Sequence, residues 1–127
     1  RGFSATLKEW EMAAKYIEVE GNENIIFCER GIRTFETEMR NTLDLAGAYM
    51  LKEKTGYPVI VDPSHGTGKR ELIEPMARAV LALGLDGLMI EVHPNPDQAK
   101  SDAAQTIGYD IYERIVKQFE EFNENRI

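Results

Sequence analysis

His65, Glu91 and Asp102 are the side chains best suited to chemistry in this chain. Each follows an apolar run: Val59-Ile-Val-Asp62 leads into Pro-Ser-His65, Gly87-Leu-Met-Ile90 into Glu-Val-His-Pro94, and Asp102 lies in the loop beyond. If those runs are neighbouring parallel strands, one imidazole and two carboxylates meet on a single rim. Such a mixed nitrogen and oxygen set suits a divalent Mn, Fe, Co or Zn ion and leaves positions open for water or substrate. The plainer reading is an exposed strand-end histidine beside two solvated loop carboxylates. Spacing alone leaves both open.

A third apolar run, Ile25-Ile-Phe-Cys-Glu29, ends at Arg30-Gly31. Glycine lets the backbone approach a ligand closely, and a guanidinium there can hold a phosphate or carboxylate with two parallel bonds. A salt bridge from Arg30 to Glu29 or another rim acid is the competing reading. Arg33 and Arg40 add charge to the same loop and read as structural or solvated. Gly66-Thr-Gly-Lys-Arg70 lacks the first glycine of a phosphate loop and carries Arg70 where Ser or Thr belongs, so it reads as a rim-shaping turn with Lys69 near an anionic substrate. Cys28, inside an apolar strand, reads as core packing, and His93, before Pro94 at a strand end, reads either as a support behind the ligands or simply as rim.

Helices must connect these strands. Thr6-Leu-Lys-Glu9 is a capping box, followed by Leu7, Trp10, Ala14 and Ile17 at helical spacing and a stop at Gly21. The spacing predicts a second helix around Leu45, Tyr49 and Leu51, ending near Thr55-Gly56. A third carries the stripe Leu72, Met76, Val80 and Leu83, with Pro75 in its first turn and Gly84 as its stop. A last helix, capped by Asp110 with Glu113, buries Ile111, Ile115, Phe119 and Phe122. Strands are expected at 25–29, 59–62 and 88–93. The order αβαβαβα with helical crossovers implies parallel pairing, the pattern of an α/β barrel.

The chain has 127 residues, too few for a closed eight-stranded barrel of about 250. It is expected to be one domain piece, residues 1–127, because Arg1-Gly2-Phe3 reads as the tail of a motif. A net charge of -7 without a basic stripe argues against nucleic acid and anionic membranes as partners. No run approaches the roughly 20 apolar residues of a membrane span, no signal peptide is visible, and one cysteine excludes an internal disulfide framework. A cytoplasmic protein is expected.

The segments Cys-Glu-Arg-Gly-Ile-Arg-Thr-Phe-Glu (28–36), Arg-Asn-Thr-Leu-Asp-Leu (40–45), Asp-Pro-Ser-His (62–65), Glu-Val-His-Pro (91–94) and Ser-Asp (101–102) together resemble 3-deoxy-7-phosphoheptulonate synthases. They look most like the short bacterial and archaeal type related to 3-deoxy-8-phosphooctulonate synthase. The resemblance implies a parallel (β/α)8 TIM barrel, of which this chain holds the C-terminal portion. It implies metal-dependent condensation of phosphoenolpyruvate with erythrose 4-phosphate, with phosphate released, at the entry to aromatic amino-acid biosynthesis. By motif, His65, Glu91 and Asp102 match three of the family's four metal ligands, and Arg30 matches the arginine on the phosphoenolpyruvate phosphate.

The family's Gly-Pro-Cys-Ser cysteine ligand is absent here, and Cys28, in another motif, does not replace it. The lysine before Arg-Gly and the Lys-Pro-Arg-Thr and Gly-Ala-Arg motifs are also absent. Octulonate synthases, which use arabinose 5-phosphate, usually read Cys-Glu-Arg-Gly-Thr and Asp-(Ala/Val)-Thr-His. Ile32 and Pro63-Ser64 therefore favour the heptulonate enzyme. A non-catalytic half-barrel is the alternative from another class. Three strands of an unclosed sheet leave open edges, with Ile26, Val61 and Ile90 expected to face the barrel interior. Self-association into a homo-oligomer, and dependence on the N-terminal half of the barrel, follow.

Overall fold

The computed structural model describes residues 1–124. Three parallel strands, β1 (Phe27–Glu29), β2 (Val59–Val61) and β3 (Gly87–Leu88), pair in chain order β1-β2-β3. The helices are α1 (Leu7–Val19), α2 (Leu45–Thr55), a short α3 (Pro63–Thr67), α4 (Ile73–Leu83) and α5 (Tyr109–Glu124). None of the described helices is long and apolar enough to cross a membrane.

Local chemistry sets most of the boundaries. Thr6 and Glu9 form the expected capping box on α1, satisfying amides that have no intrahelical partner. Asp44 caps α2, and Gly56 and Gly84 end α2 and α4 in the left-handed conformation, which costs glycine little. Gly66-Thr-Gly68 departs from the expected open turn. Asp62 caps it, Pro63 opens it, and Gly68 closes a single helical turn.

The register gives the sheet two unlike faces. Glu29, Val61 and Leu88 align, as do Cys28, Ile60 and Gly87. Phe27, Val59 and Val61 pack with Trp10, Ala14, Ala48, Leu51, Val80 and Leu85 under the helices. Full burial of each such valine contributes about 1.5–3 kcal/mol. On the opposite face Ile26 is 64% exposed and Met89 51%. Ile26 thus faces the open side as expected. Val61, fully buried, does not, and Ile90 packs against Ile73, Ala77, Ile107 and Ile115. Period-two alternation puts Val61 and Ile90 on the helix side with Leu88.

Other expectations shift by a residue or two. The buried stripe of α4 is Ile73, Ala77 and Val80, while Leu83 is exposed. A residue C-terminal to a given surface spot covers it, because helical side chains lean toward the N-terminus. Ile17 is likewise exposed at the end of α1. Asp110 lies inside the first turn of α5, not at its cap. The third strand is shorter than 88–93, but Met89 still donates to Val61 O at 2.9 Å, and Val92 bridges Ile107 in parallel.

Candidate functional site

Asp62 does two things where β2 meets α3. Its Oδ1 accepts the His65 amide at 2.9 Å, and its Oδ2 lies 2.7 Å from His65 Nδ1. A metal-ligand role for this histidine requires the tautomer in which Nδ1–H donates to the Asp62 carboxylate and Nε2 turns its lone pair to the rim. Nε2 lies 2.7 Å from Glu91 Oε1 and 3.9 Å from Asp102 Oδ2. One donor atom from each of His65, Glu91 and Asp102 falls within 4.8 Å of the others. Bonds of about 2.0–2.2 Å to a central ion put neighbouring ligands roughly 3 Å apart. The donor set and spacing fit a divalent transition metal.

The carboxylates are held from several elements. Glu91 N–H donates to Ser64 Oγ at 3.0 Å, so α3 also fixes the Glu91 backbone. The loop carrying Asp102 hangs on Arg70, whose Nε donates to Thr106 O at 2.6 Å and Nη2 to Ala103 O at 2.7 Å. Arg70, foreign to a phosphate loop, is a clamp on the loop that carries Asp102.

Beside the trio lies a cavity of about 560 Å³ lined by Arg1, Arg30, Arg33, Arg40, Asn41 and His65, with Gly2, Phe3 and Gly31. The salt-bridge reading of Arg30 with Glu29 is not what forms. Buried Glu29 takes Arg1 Nη1 at 2.8 Å and the Gly31 amide at 2.8 Å. Arg1 also reaches Asp44 at 2.9 Å and lies over the Trp10 ring. Among the described residues, the exposed Arg30 and Arg33 guanidinium groups have no hydrogen-bond or ion-pair partner. Two unpaired cations on a cavity beside this donor set have the charge and geometry suited to a phosphate or carboxylate group.

Glycine makes this arrangement possible. At Gly31, φ is +94°, and an added Cβ would stand 2.7 Å from Asn41 Cβ and 2.9 Å from Gly66 Cα. The loop after β1 therefore sits directly on α3, and Asn41 N–H donates to Gly66 O at 2.9 Å.

The remaining candidates fall outside this group. His93 Nδ1 accepts the Asn95 amide at 2.9 Å and belongs to a turn. Lys69 does not line the cavity. Cys28 is half-buried on the open sheet face rather than in the helix-side core. Burial, and then the charge of Asp62, push its thiol up, which makes it a poor nucleophile. Sequence reasoning missed the roles of Asp62, Arg70 and the contacts of Arg40. An Asp-Pro pair ahead of His65 is a helix-start signal that could have shown the first.

Residues 1–126 match the family model described as the DAHP synthetase I family. The chain belongs to the DAHP synthetase I family. It is 43% identical over 118 residues to a phospho-2-dehydro-3-deoxyheptonate aldolase of Thermotoga maritima, covering 93% of this chain and 35% of that protein. It is 35% identical over 131 residues to a 2-dehydro-3-deoxyphosphooctonate aldolase of Protochlamydia amoebophila, covering 93% of this chain and 46% of that one.

A crystal structure of the Thermotoga maritima DAHP synthase superposes with a TM-score of 0.94 at 41% identity, over 98% of this chain and 37% of that one. A truncated form of the Thermotoga maritima 3-deoxy-D-arabino-heptulosonate 7-phosphate synthase gives the same score and identity over 48% of its length. The chain thus spans less than half the length of these DAHP synthetase I family relatives. Its three-stranded sheet is part of their parallel α/β barrel, whose interior accounts for the exposed Ile26 face.

Proposed function

We propose that these residues form the metal-binding rim and part of the anion site of a 3-deoxy-7-phosphoheptulonate synthase. Such an enzyme joins phosphoenolpyruvate and erythrose 4-phosphate with water, giving the seven-carbon sugar phosphate and inorganic phosphate. The observation carrying this reading is the meeting of His65, Glu91 and Asp102 beside the arginine-lined cavity. A divalent ion bound there supplies Lewis acidity toward the aldehyde oxygen or toward a water. His65 would offer Nε2 to it, and Asp62 holds the ring from the Nδ1 side.

Arg30 holds the phosphate of phosphoenolpyruvate with its planar fork, and Arg33 adds charge to the same wall. Fixed cations of this kind stabilise the phosphate as carbon–carbon bond formation redistributes charge. The whole of residues 1–127 belongs to one barrel domain in this reading, in a cytoplasmic enzyme that works as a homo-oligomer. The remainder of the barrel supplies the other groups of the site, so these 127 residues alone are inactive.

Ile32 and Pro63-Ser64, with the 43% against 35% identities, favour the heptulonate over the octulonate product. The test supplies the intact protein with phosphoenolpyruvate and either erythrose 4-phosphate or arabinose 5-phosphate and measures phosphate release. Turnover with erythrose 4-phosphate, abolished by chelation and by His65→Ala, is expected. Preference for arabinose 5-phosphate moves the assignment to the octulonate enzyme, and inertness with both supports a non-catalytic barrel.

A further inference from the structure

Arg40 stands between the two parts of the site. It lines the cavity, yet its Nη1 donates to Gln105 Oε1 at 2.9 Å and reaches Asp102 Oδ1 at 3.4 Å. Its backbone is tied to the histidine's own helix, since Arg40 N–H donates to Thr67 O at 3.0 Å. Gly68, with φ +69°, packs so closely that an added Cβ would lie 2.8 Å from Arg40 Cβ.

Asp102 has an unusual backbone. Among the described residues it is the one non-glycine with positive φ, at +52°, a left-handed conformation that Asp tolerates better than most residues bearing a Cβ. Its carbonyl accepts the Gln105 and Thr106 amides at 3.1 Å each and Thr106 Oγ1 at 2.9 Å, which fixes the backbone. Its carboxylate is divided, Oδ2 toward His65 and Oδ1 toward Arg40.

Gln105 shows what the arrangement favours. It is 3% exposed, and its Nε2 is buried without a hydrogen-bond partner. A guanidinium only donates, so the amide must present its oxygen to Arg40 and leave its nitrogen orphaned. An unsatisfied buried amide nitrogen is unfavourable, and a native structure that keeps one calls for a reason; here the oxygen of the same amide seats Arg40.

We infer that Arg40 is a positioning residue for the metal site: seated on Gln105, it orients the Asp102 carboxylate toward the ion. This rests on the metal reading of His65, Glu91 and Asp102. Partners that orient metal ligands are typically worth about 10–100-fold in affinity. The sign of the effect separates orientation from bulk charge. Removing a nearby positive charge should by itself tighten cation binding, whereas removing the support for Asp102 should weaken it.

The experiment titrates Mn²⁺ into the metal-stripped intact protein by calorimetry, with unfolding midpoints of the metal-free forms as the folding control. Arg40→Ala is expected to weaken Mn²⁺ binding about tenfold or more, and Arg33→Ala to leave it unchanged or tighter. Arg40→Lys, which keeps the stem and charge but not the fork, should fall between wild type and Arg40→Ala. If Arg40→Ala lowers the metal-free midpoint, Arg40→Lys decides: weakened binding supports the inference and wild-type affinity overturns it. Affinity of Arg40→Ala equal to or above wild type overturns the inference and leaves the metal reading standing. Wild-type affinity in His65→Ala overturns the metal reading and the inference with it.

Discussion

Replacing Asp62 by Asn should separate its two jobs. Asp62 is 2% exposed and faces two donors, the His65 amide through Oδ1 and the His65 ring through Oδ2. Asparagine has one acceptor end, so it can serve only one of them. The backbone N–H has no alternative, whereas the imidazole can move its proton to Nε2. The amide oxygen therefore stays with the helix cap, and Nε2 becomes protonated and unable to ligate.

Asn caps helices about as well as Asp, so the metal-free unfolding free energy should change by less than about 1 kcal/mol. Mn²⁺ affinity should fall about 10–100-fold, equivalent to about 1.4–2.7 kcal/mol. Asp62→Ala should show the same loss of affinity plus about 0.5–2 kcal/mol of lost stability from the vacant cap. Calorimetric Mn²⁺ titration and denaturant unfolding of the metal-free intact protein measure both quantities. Unchanged affinity in both variants, with only the Ala form destabilised, would show that Asp62 is a helix cap and nothing more to the metal site.

Gly31→Ala should destabilise the protein by roughly 1–3 kcal/mol, since it combines a left-handed φ with contacts below 3 Å to Asn41 and the Gly66 backbone; an unshifted unfolding midpoint contradicts that packing. Arg30→Lys keeps the charge but loses the fork, so the intact enzyme should show a raised KM for phosphoenolpyruvate at unchanged stability. A lowered midpoint with unaltered kinetics makes Arg30 a structural residue instead. Burial alone would push the Asp44 and Asp86 carboxyls up, but Arg1 and the Gly47 amide outweigh it at Asp44, as do Lys52 and the Val59 amide at Asp86, and both end below the ordinary range. Their contribution is complete above the unfolded value of about 3.9 and is lost as pH falls through the lower folded values. Urea midpoints should therefore drop below about pH 4, less steeply in Asp44→Asn, and an identical slope in that variant discards the Asp44 contribution.

Much of this architecture was legible in the chain because its causes are local. The Thr6–Glu9 box, the stops at Gly56 and Gly84 and the apolar runs ahead of Glu29 and Asp62 each depend on a few neighbouring residues. His65, Glu91 and Asp102 could be grouped because consecutive parallel strands carry their loops to one rim, and the three do meet.

Tertiary structure decided the rest, wherever two distant segments compete for one partner. Glu29 had Arg30 beside it in sequence, yet Arg1 takes its carboxylate, because the strand's alternation turns Glu29 inward and leaves Arg30 at the exposed tip. Alternation is plain in a sequence, but which face meets helices is not, and so Val61 belongs to the helix-side core while Ile26 stays open. Arg40 and Gln105 are 65 residues apart and carry no mutual signal in the chain. They meet because Gly31 and Gly68 let the loop after β1 settle on α3, and backbone approach of that kind exists only once the chain has folded.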